Sequence, residues 1–414
     1  MMQVNGERIM ARIARLAQFT EADRPYTRRA FTDLYLQARD WLRGEFETAG
    51  LTPRLDEGAN LFGERAGRES GLGALLLGSH IDTVAGGGRF DGIAGVVTAL
   101  EVAQVLHENG VRLRHDLGIV DFLSEEPSDY GASCVGSRAL AGTLSQVMLE
   151  RSNPAGETLA AGLRRMGGVP ERLTGPLAEA GSIRAYLELH IEQGPVLEQA
   201  GVPLGIVGGI TGIQRRAVTV SGRAGHAGTT PMDMRRDALV GAARFVDLVW
   251  QRAQAQSEQL AFVATIGRLD VHPNGANVVP GAVSLVLEAR SMDDALTGGF
   301  LEDVCHEGEA LCQELDLEFS SESESFAPAV ACDPELRRLL AGAAQRRGHD
   351  SLELMSGAGH DAMQVAALAP VAMIFVPCDD GISHNPAENA HEAYLVAGTE
   401  VLLDAVLSLD GQKE

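Results

Sequence analysis

Basic residues are scarce in this chain: 34 lysines and arginines stand against 57 aspartates and glutamates, for a formal net charge of −23. A nucleic acid or an anionic membrane is bound through a basic footprint, so this balance argues against both as partners. Cysteine is sparse as well. The five, Cys134, Cys305, Cys312, Cys332 and Cys378, are odd in number, widely spaced and without a CxxC pair, which favours reduced cytoplasmic thiols over a disulfide framework. No apolar run approaches the roughly 18 residues of a membrane helix. The opening stretch, MMQVNGERIMARIARLAQF, breaks its apolar residues with charges and lacks a small-residue cleavage site, so the expected location is the cytoplasm. Internal repeats and low-complexity tracts are missing too.

What remains is an ordinary globular composition, 45% hydrophobic and 22% charged over 414 residues, long enough for two domains. Ile9, Ile13 and Leu16, then Phe31, Leu34, Leu42 and Phe46, recur at helical spacing and predict two amphipathic helices. The apolar run Ala74–Leu77 predicts a buried strand, Ala94–His107 a helix, HDLGIVDFLS a second buried strand and RAYLELHIEQGPVLE a third, with Leu149–Gly181 as helix and loop. From about Gly208 the pattern changes. QRRAVTVSG is a strand, Arg235–Gln254 a helix, AFVATIGRLDV and VSLVLEARSM two strands, Leu296–Leu315 a helix and LEFSSESESF a strand. That β-α-β-β-α-β order is ferredoxin-like, and at about 115 residues it is long enough to fold as an inserted domain. The α/β pattern then resumes with a helix over Pro334–Arg347, the strand VAMIFVP and a closing helix over Ala390–Leu409. The expectation is an α/β catalytic domain made of 1–210 and 327–414, interrupted by an α+β domain at 211–326.

The chemistry gathers where apolar strands end. His80 and Asp82 follow the first, and Asp91 follows a turn rich in glycine (Gly86, Gly87, Gly88, Gly92) that lets the chain fold back. Glu125-Glu126 follow the second strand, His190 ends the third, and His384 lies beyond the last. In open α/β sheets, sites form beyond the carboxyl ends of strands. Any one of these residues has a plainer reading: a loop histidine that only hydrogen-bonds, a capping aspartate, a solvated acidic pair. Together, His80, Asp91, Glu126, His190 and His384 are what a two-metal hydrolase requires, with a carboxylate such as Asp91 able to bridge two ions. Asp82 would accept the His80 imidazole N–H and fix its orientation. Because adjacent residues do not readily share one ligand direction, one glutamate of the acidic pair can bind metal while its neighbour acts as general base.

The segments GSHIDTVAGGGRFDG, SEEPSDYGASCVGSRALAG, LELHIEQGPVLE, GRAGHAGTTPM, NGANVVPG, LEARS, SGAGHDAM and GISHNPAE, in that order over about residues 70–400, resemble the hydantoinase/carbamoylase group of binuclear M20-type metalloamidases. That group includes N-carbamoyl-L-amino-acid hydrolases, β-ureidopropionases and allantoate amidohydrolases. The resemblance implies a zinc-exopeptidase-like catalytic domain with a mixed, mostly parallel sheet, and a ferredoxin-like lid through which two chains dimerise. It implies that His80, Asp91, Glu126, His190 and His384 hold two divalent metal ions, Zn2+ first and Mn2+, Co2+ or Ni2+ as alternatives. Asp91 would be the bridge, Glu125 the general base and Asp82 the support behind His80. His226 would donate to the oxyanion in the partner subunit's active site. Asn277 and Arg290 would hold a substrate carboxylate, with Gln193, Gln214, Gly359 and His360 lining the same pocket. In SLVLEARS, Arg290 alternates onto the face opposite Leu285, Leu287 and Ala289; its plainer reading is a salt bridge to Glu288, Asp293 or Asp294.

The chain departs from the group where Glu-Glu-Gly-Ser-Arg-Phe is common, reading Glu125-Glu126-Pro127-Ser128-Asp129-Tyr130. Proline removes a backbone donor and Asp129 reverses a charge near the expected base, which bears on substrate more than on catalytic chemistry. The expected activity is hydrolysis of a linear amide or ureido C–N bond in a small carboxylate substrate such as an N-carbamoyl-L-amino acid or allantoate. An aminoacylase- or dipeptidase-like peptidase of the wider M20 group is the rival within hydrolases. A non-catalytic small-molecule binding protein on the same scaffold is the rival outside them.

Overall fold

The apolar runs of the sequence become the middle of a sheet in the computed structural model, which describes residues 2–257 and 262–411. The strands, in chain order, are β1 (Thr52–Leu55), β2 (Leu61–Arg65), β3 (Ala74–His80), β4 (Leu117–Phe122), β5 (Ile183–Ile191), β6 (Leu204–Ile210), β7 (Gly212–Ser221), β8 (Gly225–His226), β9 (Phe262–His272), β10 (Val278–Val279), β11 (Ala282–Ser291), β12 (Glu318–Ala327), β13 (Val330–Ala331), β14 (Ser351–Ser356) and β15 (Val371–Val376). The chain divides into two compact units, one holding residues up to Gly208 and from Cys332 onward, the other Gly209–Ala331.

In the first unit the strand order is β1-β2-β4-β3-β5-β15-β6, with β14 beside β6. The four central strands, β4, β3, β5 and β15, run parallel, while β1, β2 and β6 join antiparallel at the margins. Every residue of β4 and β15 is buried, which is why these strands read as unbroken apolar runs rather than alternating ones. Against this sheet lies the helix Ile93–Glu108, buried on nearly all sides, with Gly6–Leu16 and Glu392–Leu409 packed on it in turn. Gly6–Leu16 buries Ile9, Ile13 and Leu16 as the spacing predicts, and Asn5 caps it by accepting the Arg8 N–H. The next helix differs from expectation. It spans Asp33–Thr48 and buries Tyr35, Ala38, Arg39, Leu42 and Phe46; Phe31 has a left-handed backbone ahead of the Thr32 cap, and Leu34 is only half-buried.

The second unit has a four-stranded antiparallel sheet of order β12-β7-β11-β9, with helices Ala238–Ser257 and Asp294–Glu314 packed on it. The first of these starts three residues later than predicted because Arg236 is drawn into an isolated antiparallel bridge with Arg223. The expected start of the following strand, Ala261, lies outside the described residues. Among the described residues no helix is long and apolar enough to cross a membrane, and all five cysteines are buried free thiols.

One buried ion pair fixes the ends of β3 and β4 in the first unit. Arg39 donates through Nε to Asp121 Oδ2 (2.6 Å) and through Nη2 to the Asp121 carbonyl (3.0 Å), while Asp121 Oδ1 accepts the Ile81 N–H (2.9 Å). Both side chains are almost fully excluded from solvent. Removing one partner of such a pair strands the other charge, at a cost of about 3–5 kcal/mol. Arg39→Met should therefore lower unfolding stability by about that amount in urea, whereas Arg54→Met, which breaks a half-exposed pair with Glu64, should cost about 1 kcal/mol or less. Equal losses in the two variants would show that burial does not set the worth of the Arg39 pair.

Candidate metal centre

The parallel strands deliver their chemistry at one end. His80 is the last residue of β3, Glu125 and Glu126 follow β4 by a short turn, and His190 is the penultimate residue of β5. His384 comes eight residues after the end of β15, in a loop where its own backbone is left-handed. Asp91 sits at the centre of the group. Its Oδ1 lies 3.1 Å from His190 Nε2 and 3.8 Å from His80 Nε2, and its Oδ2 lies 2.9 Å from His384 Nε2. His384 Nε2 is also 3.1 Å from Glu126 Oε1. Gly92 closes the turn with φ +67°, and a Cβ there would strike the His80 ring, so only glycine lets imidazole and backbone approach this closely.

Two sets of donor atoms result, His80–Asp91–His190 and Asp91–Glu126–His384, each with ligand atoms within 4.8 Å of one another and Asp91 common to both. Two observations fit a divalent cation. His80 and His190 both donate Nδ1–H to a backbone carbonyl, that of Asp82 at 3.0 Å and that of Ile191 at 2.9 Å, which turns both Nε2 atoms to the side of Asp91, where that of His190 also meets the Gly92 N–H (3.0 Å). Glu126 Oε1 is buried, and the one His384 Nε2 stands between it and Asp91 Oδ2, so two carboxylates share a single imidazole. A third set, Glu188–His190–His360, is less suited: Glu188 already accepts from Ser79 Oγ (2.7 Å) and Tyr186 OH (3.0 Å), and His360 Nε2 is bonded to Ser356 Oγ (2.8 Å).

The electrostatics are those of crowded acids held by histidines. Burial pushes Asp91 up, but hydrogen bonds from His190 and His384 outweigh it and hold the carboxyl well below its usual range. The bond to Asp91, then the neighbouring Glu126 carboxylate, push His384 up to about 11. Glu125 is buried, with Oε2 3.6 Å from His80 Nε2 and Oε1 3.5 Å from the Cys134 thiol. Burial holds its carboxyl well above the usual range, opposed by His80 and reinforced by Glu126.

The Asp82 carboxylate lies behind His80, with Oδ1 3.5 Å from His80 Nδ1, and also reaches the acidic pair. The proton of His80 goes to the Asp82 backbone carbonyl, while the side-chain oxygens accept the N–H groups of Glu125 (3.3 Å) and Glu126 (3.2 Å). Those amides lie beyond the end of a neighbouring strand and point at the carboxylate, so Asp82 ties the acidic pair to His80. Gln193, with φ +58°, donates to Asp91 Oδ2 (3.0 Å). The His360 ring packs on that of His190 at 4.6 Å, and burial pulls its pKa well below the ordinary value. Gly359 is half-buried beside it.

The other expected residues belong to the second unit. His226 is exposed on β8, and its Nδ1 accepts the Gly228 N–H (3.1 Å), which puts the ring proton on Nε2. Asn277 is exposed next to β10, Gln214 donates to the Asp294 carbonyl (2.8 Å), and Arg290 donates through Nε to Glu288 Oε1 (2.7 Å). The Arg290–Glu288 pair offered as the plainer reading is thus present, and Arg290 stands off the packed face of β11, where Leu285, Leu287 and Ala289 are buried.

Asp129 is placed unlike the expectation. It pairs with Arg29 at the surface (2.7 Å), so its charge is answered there. Residues near the site that the sequence reading passed over are Ser383, which lies 3.3 Å from Asp91 Oδ2, and the buried acids Glu188, Asp361 and Glu388. For Glu388 a signal existed, an acid four residues after His384; the others carried none.

Residues 76–408 match the family model described as peptidase family M20/M25/M40. An N-carbamoyl-L-amino acid amidohydrolase of Geobacillus stearothermophilus is 35% identical over 407 residues, covering 98% of this chain and 99% of that protein. An allantoate deiminase of Arabidopsis thaliana is 35% identical over 92% of this chain and 78% of its own length. Among solved structures, a hydantoinase/carbamoylase family amidase from Burkholderia multivorans superposes with a TM-score of 0.88 at 36% identity, covering 99% of this chain and 98% of the other. Matched over most of its length in both sequence and fold, this chain belongs to peptidase family M20/M25/M40 and is a hydrolase of C–N bonds.

Proposed function

We propose that this chain is a cytoplasmic, metal-dependent amidohydrolase that cleaves the linear C–N bond of a ureido acid, most closely an N-carbamoyl-L-amino acid or allantoate. The observation that carries the reading is the Asp91 carboxylate, faced on separate oxygens by His190 and His384, with Glu125 beside His80. The relatives named for N-carbamoyl-L-amino acids and for allantoate supply the substrate class.

Two divalent ions, zinc first, would be held by His80, Asp91 and His190 and by Asp91, Glu126 and His384. Bound there, they would supply Lewis-acid polarisation of the substrate carbonyl and a more acidic water. Glu125 takes a proton from the attacking water and returns it to the leaving nitrogen; its burial and raised pKa suit it to both steps. Asp82 holds the Glu125–Glu126 turn, and Gln193 orients Asp91. Residues 211–326 form a ferredoxin-like lid in which Arg290, aimed by Glu288, takes the substrate carboxylate with Asn277 and Gln214 near it, while Gly359 and His360 line the pocket in the catalytic domain. The chain dimerises through this lid. Its edge strand β9 and the helix Ala238–Ser257 expose Val263 (57%), Leu269 (40%) and Trp250 (61%). His226, with its proton on Nε2, serves the oxyanion of the partner's site.

The zinc-loaded chain should release ammonia from N-carbamoyl-L-amino acids or allantoate and little amine from N-acetyl amino acids. Glu125→Gln should keep its metal content and lose about 10²–10⁴-fold in turnover. Amine release from N-acetyl compounds without ammonia from ureido ones would favour an aminoacylase instead. Metal binding should also release protons. With its pKa pushed up to about 11, His384 is protonated at pH 7 in the metal-free chain, and His80 and His190 are pushed up as well, so cations that take their lone pairs displace at least one proton. Calorimetry in buffers of different ionisation enthalpy reads this directly, and metal affinity should fall as pH falls. Zero net release would remove His384 from the ligand set. For the action of His226 across the dimer, mixing inactive His226→Ala and inactive Glu125→Gln chains should restore part of the activity. No recovery after confirmed subunit exchange would place His226 in its own chain's site or outside catalysis.

A further inference from the structure

Two loops far apart in sequence, 86–92 and 383–389, carry Asp91 and His384, and one buried acid between them is used by no step above. Glu388 is fully buried. Its Oε1 accepts the backbone N–H groups of Phe90 (2.7 Å) and Asp91 (3.1 Å), and its Oε2 accepts from Ser383 Oγ (3.0 Å). Ser383 Oγ is in turn 3.3 Å from Asp91 Oδ2 and accepts from Gln193 Nε2 (3.2 Å). Arg89 adds a second tie between the same loops, donating to Asn389 Oδ1 (3.1 Å). On the facing side is Gly88, where a Cβ would overlap the Glu388 carboxyl group; the carboxylate reaches the amides only because that position has no side chain.

We propose that Glu388 is a positioning residue that sets Asp91 for both donor groups: it fixes the Asp91 backbone through two amides and the Asp91 Oδ2 through Ser383. The proposal rests on Asp91 as a shared metal ligand. Nothing in it requires the Glu388 charge. In Glu388→Gln the amide oxygen still accepts from Phe90 and Asp91, and the NH2 donates to Ser383, whose own proton then turns toward Asp91. In Glu388→Ala two buried N–H groups lose their acceptor and the loop is free to rotate the Asp91 carboxylate away.

The test measures zinc affinity and ions bound per chain by competition with a chromophoric chelator, on the full-length chain. Glu388→Ala should bind zinc about 10–100-fold more weakly, the usual cost of losing a group that orients a ligand, and Glu388→Gln should stay within about threefold of wild type. Gly88→Ala should weaken zinc binding to a similar degree, and the double variant Gly88→Ala/Glu388→Ala should be no weaker than the worse single one, since both remove the same contact. If Glu388→Ala does not fold, Gly88→Ala against Glu388→Gln reads the contact from its other side. Wild-type zinc affinity in Glu388→Ala, a Gln variant as weak as the Ala variant, or additive losses in the double variant would each overturn the positioning role. A wild-type chain that binds no zinc would overturn the ligand assignment and this proposal with it.

Discussion

The structure of the first unit is governed by the crowding of carboxylates at the end of its parallel strands. Asp82, Asp91, Glu125, Glu126, Glu188, Asp361 and Glu388 are all buried there. An isolated buried carboxylate is expensive, and several together repel one another, so each must either find donors or give up its charge. Three solutions are visible. Asp82 and Glu388 spend their oxygens on backbone amides. Asp91 is met by imidazoles, and its pKa is driven down. For Glu125 and Asp361 the nearby His80 does not offset burial, which drives both well up. What is left over, two carboxylates, Asp91 and Glu126, sharing the one His384 imidazole, with the Nε2 atoms of His80 and His190 turned to the same Asp91, is an arrangement that a divalent cation satisfies.

That crowding explains why the surrounding fold is so firmly tied. His80, Glu125, Glu126 and His190 stand on strand ends or just past them, so their spacing follows from strand registers such as Phe375 opposite His190 and His80 opposite Phe122, whereas Asp91 and His384 sit on longer loops that Glu388 ties together. The buried pair of Arg39 and Asp121 holds the exit of β3 through the Ile81 amide. Ser137 bonds to Asp361 and so joins the helix after the acidic pair to the segment after His360. Each tie costs desolvation in a fold whose parallel strands are otherwise apolar, and each restrains an element that delivers a ligand.

Much of this was legible in the sequence because it is local. An apolar run followed by His or Glu-Glu states both the strand and what emerges from it, and the β-α-β-β-α-β order of residues 212–327 follows from periodicity alone. The resemblance to known metalloamidases supplied roles that spacing does not. Short marginal strands were not legible: β1 and β2 are four and five residues long and lack a continuous apolar run. Phe31 fits helical spacing, but the Thr32 cap starts the helix after it. Contacts across long sequence separations were the least accessible. Nothing in a linear reading says that the Asp82 carboxylate faces the amides of Glu125 and Glu126, or that Glu388 faces those of Phe90 and Asp91, because a backbone N–H has the same identity at every position.

The segment Pro127–Tyr130 shows how such contacts change what a sequence difference means. On the chain alone, an aspartate four residues from Glu125 is a negative charge added near an acid already short of partners. In the fold, the turn directs Asp129 outward to Arg29, half-exposed, where solvent screening leaves the pair worth about 1 kcal/mol or less. Tyr130 turns inward, edge-on to Phe31 at 5.0 Å, with its hydroxyl on Glu157. Pro127 is exposed, and the two amides before it, those of Glu125 and Glu126, are the ones Asp82 binds. The missing donor of the proline therefore falls just outside the bonded pair, and the acidic turn keeps both of its anchors. The substitutions act on the outer side of this loop and on Arg29, while Glu125 and Glu126 keep the Asp82 anchors and the Glu125 carbonyl accepts the Cys134 N–H (2.8 Å).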